Sequence, residues 1–263
     1  QDRVLRPAIL WNDTRSHVEA DALDADPRFR TLTDNIVFPG FTAPKILWVR
    51  KHEPQTYKQI AHILLPKDYI RYCLTGALAT EVSDASGTSL LDVKGRRWSS
   101  EMLSALDVPA TWLPEVYESI VPSTTISEEA SVATGLRAGT PVVGGGGDQA
   151  AQAVGSGIVR EGIVSVTLGT SGVVFAATGR FSADPDGRLH AFCHAVPGQW
   201  HLMGVMLSAA GSLRWYRDTL AGEERAEAER TGADPYDVLV HQAAFAPARS
   251  EGLLFLPSPT GER

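Results

Sequence analysis

One carboxylate is set apart by the residues around it. Thr140-Pro-Val-Val-Gly-Gly-Gly-Gly-Asp-Gln-Ala-Ala-Gln-Ala-Val154 reads as a short buried strand, a glycine run, one aspartate and an alanine-rich helix. Gly144 to Gly147 carry no Cβ, so they tolerate unusual backbone angles and let another group come close to the main chain. Asp148 falls where a helix would start. The first-turn N–H groups of such a helix lack internal partners and create a positive potential, which favours an ionised carboxylate. Two roles suit Asp148. It could cap an ordinary strand–turn–helix junction, or it could act as a general base at a glycine-lined strand end. Taken alone, the stretch reads first as the capped junction.

Other candidates are weaker. Gly169-Thr-Ser-Gly172 offers two hydroxyls and backbone N–H groups in a turn between β-branched runs, and such turns can hold phosphate. By itself it reads as an ordinary turn. No G-x-x-x-x-G-K-[ST] and no G-x-G-x-x-G after a strand occurs, so the usual phosphate cradles are missing. No G-x-S-x-G elbow is present either. His190, Cys193, His194 and His201 invite a test for zinc. Strand alternation puts His190 and His194 on one face and Cys193 on the other, which disperses the ligands a zinc site must converge. They read as core or surface residues. Asp184-Pro-Asp-Gly187 is a turn, too short for a calcium loop.

The elements that must position these residues follow from pattern and punctuation. Residues 8–11 and 63–65 are short apolar runs and read as strands. Helices are expected from about residue 16 to Leu23, over 27–32, from Pro44 to His52, and from Pro66 to the stop at Gly76, where Ile70, Cys73 and Leu74 recur on one face. Residues 83–88 read as a loop or short capped helix, 89–93 as a strand, and 98–106 as a helix capped near Ser99 or Ser100. Residues 107–126, with Pro109, Pro114 and Pro122, read as irregular. A short helix over 128–134 leads to the strand at 140–143. Residues 162–177 and 189–206 each read as a hairpin. Ser208 is expected to cap a helix running to Leu220. A charged helix is expected over 223–230, and a strand over 252–256 leading into a loop from Pro257. Strand–helix alternation gives way to paired hairpins at Gly155-Ser-Gly157. That predicts a first domain over 1–158 and a second over 159–263.

Composition narrows the class. The 263 residues are 43% hydrophobic and 21% charged, which suits a globular chain with a sizeable core. A net charge of −7 argues against nucleic acid as a partner. The two cysteines lie far apart, as in a reduced, cytoplasmic protein. No apolar run approaches membrane-spanning length.

Several stretches in order carry a resemblance. Ala8-Ile-Leu-Trp-Asn-Asp-Thr-Arg15, Phe41-Thr-Ala-Pro-Lys-Ile-Leu-Trp48, Leu64-Leu-Pro-Lys-Asp-Tyr69, Ser83-Asp-Ala-Ser-Gly-Thr88, Gly145-Gly-Gly-Asp148, Leu168-Gly-Thr-Ser-Gly172 and Trp200-His-Leu-Met203 together resemble the FGGY carbohydrate kinases. The resemblance implies an α/β fold of two actin-like (ribonuclease H-like) domains, here incomplete at both termini. It implies transfer of phosphate from ATP, with Mg²⁺, to a sugar hydroxyl. D-xylulose is the expected acceptor, with glycerol, ribulose or gluconate as alternatives. The family's catalytic aspartate falls on Asp148, and a polar sugar contact on Gln149. Gly169 and Thr170 fall near the nucleotide phosphates, while Ala210 and Arg214 fall on the nucleotide side. The expected partners are sugar and ATP, without nucleic acid or membrane, and a homodimer is compatible. The family's opening phosphate loop and its later adenosine-binding segment have no counterpart here. The expectation is therefore an internal fragment with little or no kinase activity alone, or a non-catalytic binding or assembly module.

Overall fold

The computed structural model describes residues 3–256, which divide into two compact units. The first takes residues 3–165 and 175–203, and the second 166–174 and 204–256.

The first unit opens without the expected strand. Residues 8–11 form no ladder, and Leu10 and Trp11 are exposed. An apolar run becomes a strand only where another strand pairs along its backbone, and here the Ile9 carbonyl accepts from the Lys45 side chain and the Leu10 carbonyl from the Asp13 N–H in a turn. Three helices follow: α1 (His17–Asp24), α2 (Pro27–Thr33) and α3 (Thr42–His52). Asp26 caps α2 through the Arg28 N–H, with Pro27 in the first turn, where its missing donor costs nothing. Ala20, Leu23, Phe29, Ala43 and Ile46 from these helices meet Leu90, Met102, Leu103 and Leu106 in the main core.

A single turn, α4 (Pro54–Tyr57), precedes residues 63–65, which also form no strand. Ile63 N–H reaches the Trp112 carbonyl at 2.8 Å, and no ladder develops from it. The helix α5 (Pro66–Thr75) then ends at Gly76, whose φ of +72° closes it. Its face is the reverse of the apolar spacing. Asp68 and Arg71 are 1% and 6% exposed, whereas Ile70 is 60% exposed. The polar side chains are inside because they have work there. Arg71 donates to the Val143 and Ala77 carbonyls at 3.3 Å and to the Ser123 hydroxyl. Asp68 pairs with Lys67 at 2.5 Å.

Next come β1 (Ala79–Glu81), the turn α6 (Val82–Ala85), the antiparallel pair β2 (Leu91–Asp92) and β3 (Arg97–Trp98), and α7 (Ser100–Leu106). Ser99 caps α7 as its position suggested. The stretch read as irregular contains two strands. β4 (Glu115–Tyr117) runs parallel to β1, and β5 (Pro122–Thr125) pairs antiparallel with β6 (Pro141–Val143). Pro114 precedes β4 and Pro122 opens β5, positions where a strand can lack a donor. Between β5 and β6 lies α8 (Glu128–Thr134), capped by Ser127 and ended by Gly135. Val143 on β6 is exposed, so that strand is not the buried one expected. The glycine run leads from it into α9 (Asp148–Gly155).

Both hairpins form. β7 (Val164–Leu168), β8 (Gly172–Thr178), β9 (His190–Cys193) and β10 (Trp200–Met206) make one sheet in the order β7-β8-β10-β9. β9 pairs antiparallel with β10, His190 opposite Met203 and Cys193 opposite Trp200. On its open side β9 meets a side chain. Asn35 donates to the Ala191 carbonyl at 3.0 Å and accepts the Ala191 N–H at 2.8 Å, as a neighbouring strand would.

The second unit carries α10 (Ala210–Thr219), α11 (Gly222–Thr231) and α12 (Pro235–Ala243), with Ala221, Ala228 and Leu239 buried between them. Ser208 is not the cap of α10. The position before the helix is Ala209, and the Ser208 carbonyl instead accepts the Ser212 hydroxyl at 2.6 Å. Residues 253–256 form no strand and are exposed. The loop expected from Pro257 lies outside the described residues.

Candidate functional site

Asp148 is exposed at the start of α9. It is the first helical residue and not the cap, since Gly147 occupies the capping position and has no side chain to offer. One Asp148 oxygen accepts the N–H of Gln149, its half-buried neighbour, at 2.8 Å. Two of the glycines before it, Gly144 and Gly145, are required by the protein's own structure. A Cβ on Gly144 would stand 2.9 Å from the Glu81 Cβ and 3.0 Å from the Glu118 carbonyl. One on Gly147 would stand 3.4 Å from the Asp84 Cα. Gly145 has a φ of +94°, which other residues rarely adopt. The run therefore lies against the end of β1 and the turn α6.

That turn holds a charge cluster. Glu81 accepts the Ser83 N–H at 2.7 Å, the Asp84 N–H at 2.8 Å, the Ser83 hydroxyl at 3.0 Å and the Ser119 hydroxyl at 2.6 Å. Lys67 lies 3.6 Å from both Glu81 and Asp84, besides its contact with Asp68. Burial pulls the Lys67 ammonium down, but the three carboxylates outweigh it and raise its pKa. Burial pushes the Asp84 carboxyl up to about 6, against the pull of Lys67. Asp84 thus changes charge near neutrality, beside the backbone that leads to Asp148.

The histidines serve the sheet. His194 Nδ1 accepts the Val196 N–H at 3.0 Å and Nε2 donates to the Ile158 carbonyl at 2.9 Å, which fixes a neutral ring. His201 stacks on Phe175 at 4.1 Å, and burial holds its pKa down at about 3. His190 packs among Phe38, Phe41 and Phe192. Cys193 is buried, and burial pushes its thiol up to about 11.

In the second unit, three of the four nucleotide-side candidates come together. Ala210 N–H donates to the Gly169 carbonyl at 3.0 Å, while Ala209 and Gly211 N–H groups donate to the Thr170 carbonyl at 2.8 and 3.1 Å. A Cβ on Gly211 would meet that carbonyl at 2.9 Å. The hairpin tip and the start of α10 are one packed piece, with Gly169, Thr170 and Ala210 on its exposed surface. Arg214 is exposed one helical turn further on. Asp148 and Gln149 belong to the first unit and these four residues to the second.

Lys67, Glu81, Ser83 and Asp84 carry no assigned role in the sequence reading. Glu81 just ahead of a Ser-Asp turn was a local signal. Its partners Lys67 and Gly144, 14 and 63 residues away along the chain, gave none.

The sequence profile of the FGGY family of carbohydrate kinases, N-terminal domain, matches residues 1–155. The chain belongs to the FGGY family. An FGGY relative, the xylulose kinase of Escherichia coli (strain K12), is 46% identical over all of this chain and 52% of its own length. A xyloylose kinase from Brucella ovis superposes with a TM-score of 0.86 at 46% identity, over 100% of this chain and 52% of that one. The xylulose kinase from Rhodospirillum rubrum superposes with a TM-score of 0.88 at 30% identity, over 99% and 52%. The fold is thus the actin-like, ribonuclease H-like α/β fold of FGGY sugar kinases. The chain spans about half the length of the relatives it matches.

Proposed function

We propose that this chain works in an ATP-dependent kinase that converts D-xylulose to D-xylulose 5-phosphate. The observation that carries the reading is the 46% identity to a xylulose kinase across the whole chain. In this reading Asp148 is the general base. It takes the proton from the sugar hydroxyl as the oxygen attacks the γ-phosphoryl group in line. Its exposure supports that role, because the base must meet solvent-borne sugar. Gln149 orients the sugar. Gly169, Thr170, Ala210 and Arg214 would hold the nucleotide, with an exposed hydroxyl and guanidinium suited to phosphate. Mg²⁺ supplies charge neutralisation on the phosphates when bound. Residues 1–158 form the sugar side and 159–263 the nucleotide side. The proposal extends to a cytoplasmic homodimer, tested by cell fractionation and analytical sedimentation.

The test is a coupled ADP assay of the chain extended to the length of its relatives, with D-xylulose, D-ribulose, glycerol and gluconate, beside Asp148→Asn. Turnover is expected with D-xylulose, and the variant is expected to lose at least about 100-fold in kcat, the low end for a positioned acid–base group. Equal turnover by the variant rejects Asp148 as the base. Preference for another acceptor rejects xylulose.

A further inference from the structure

Asp148 follows a stretch that has no side chains of its own to hold it. Four glycines precede it, and glycine has the greatest backbone freedom of any residue. The helix it opens has no side-chain cap of its own. Something else must hold the entry to α9. The described contacts supply three anchors: Gly144 N–H to the Val121 carbonyl at 3.1 Å, Gly145 N–H to the Ser119 carbonyl at 3.0 Å, and Gly147 N–H to the Ser83 hydroxyl at 3.0 Å. Only the last adjoins Asp148, and only the last comes from a side chain.

The direction of that hydroxyl is not free. Each oxygen of the Glu81 carboxylate already faces a backbone N–H, which can only donate, so the carboxylate is held as an acceptor. The Ser83 O–H, 3.0 Å from Glu81, therefore points its proton at Glu81. A lone pair is left facing the Gly147 N–H. Glu81 orients the hydroxyl, the hydroxyl receives the amide, and the amide fixes the residue before Asp148. Gly144 fits closely on Glu81, and Gly147 lies in ordinary contact with Asp84.

We propose that Ser83 is a positioning residue for Asp148, a cap supplied from another part of the chain, with its hydroxyl aimed by Glu81. The proposal rests on the reading of Asp148 as the base. Ser83 touches no reacting atom in it. Its effect is on how often the carboxylate stands where the sugar hydroxyl must meet it.

Three variants test it. Ser83→Ala removes the acceptor but leaves Glu81 three other donors, so the fold survives. Ser83→Cys keeps most of the volume and replaces the oxygen with a weak acceptor. Ser83→Thr restores the hydroxyl. Two readouts are taken: kcat and both KM values in the xylulose-dependent ADP assay, and hydrogen exchange at the Gly147 amide. Ala and Cys are expected to lower kcat about 10-fold, the equivalent of roughly one hydrogen bond of ~1.4 kcal/mol. KM for ATP stays unchanged, and Gly147 exchange accelerates by a similar factor. Thr is expected to return both to within about twofold of wild type, at the scale of an intact bond. Wild-type kcat in both Ala and Cys overturns the proposal, as does a Thr variant with a protected Gly147 and an unrestored kcat. If Asp148→Asn turns over normally, the base assignment fails and the role of Ser83 in catalysis falls with it. The exchange data then still report whether the clamp exists, so the two failures are distinguishable.

Discussion

Glu81 and His201 are both sealed from solvent, at 0% and 2% exposure, yet they are treated in opposite ways. Glu81 receives four hydrogen bonds and faces an ammonium. Among the described residues neither nitrogen of His201 has a hydrogen-bond partner, and the ring lies flat on Phe175. The first is a buried charge held by donors on every side, and it organises the backbone leading to Asp148. The second is a buried polar ring used as an aromatic plate. The contrast teaches that a buried polar residue marks a working site only when its partners are built around it. Polarity and burial alone marked the histidines just as strongly.

The largest break in that comparison is Glu81→Ala. It strands two backbone N–H groups and two hydroxyls and leaves Lys67 with two counter-charges. Urea unfolding at pH 7 is expected to show a loss of about 3–5 kcal/mol, the range for removing one side of a buried charged pair. An effect below about 1 kcal/mol, the scale of a single neutral hydrogen bond, would mean the network is ornamental.

His201 sharpens the other side through pH. Its folded pKa of about 3 lies below the ordinary 6.5, so the unfolded chain binds the proton first. Stability is full above pH 6.5 and falls as pH drops from there towards 3, by about 1.4 kcal/mol per unit. His201→Phe keeps the stack and removes the titration. Between pH 6.5 and 4.5 it is expected to save about 2 kcal/mol of that loss, with the remaining slope carried partly by His194, whose pKa burial also lowers. Parallel curves for wild type and variant would place the acid sensitivity elsewhere.

Asp84 gives the smallest effect and the opposite sign. Its folded pKa of about 6 exceeds the ordinary 3.8. The folded state favours the protonated carboxyl, so its contribution is full below pH 3.8 and is lost as pH rises through 6. Asp84→Asn is expected to raise stability by about 1–2 kcal/mol at pH 8 and to change little at pH 4, allowing for the half-exposed side chain. A melting temperature that moves equally at both pH values would rule out titration as the cause.

What could be read from the sequence was what is settled locally. Asp26, Ser99, Ser127 and Gly76 end or begin helices through contacts within four residues, and both hairpins announced themselves by β-branched runs around short turns. Ser208, a local cap reading, failed all the same, and several of the other misses share one cause. Residues 8–11 and 63–65 have strand composition but pair with no strand among the described residues. β4 has a neighbour 36 positions earlier, Ala79 opposite Glu115, which no local pattern reveals. The inverted face of α5 depends on the Val143 carbonyl, 72 residues away from Arg71. Asp148 stood out because a glycine run precedes it. The residues that hold that run became visible only when folding brought β1 against it.

Asn35 has a consequence at the level of many molecules. β9 ends the sheet, and an open strand edge is a template on which a second chain can add its own strand. The Asn35 amide occupies both the donor and the acceptor of Ala191, in the middle of that edge. A newcomer would meet a ladder already interrupted at its centre. One side chain, 156 residues away in sequence, thus takes the place that a second chain's backbone would need on this border.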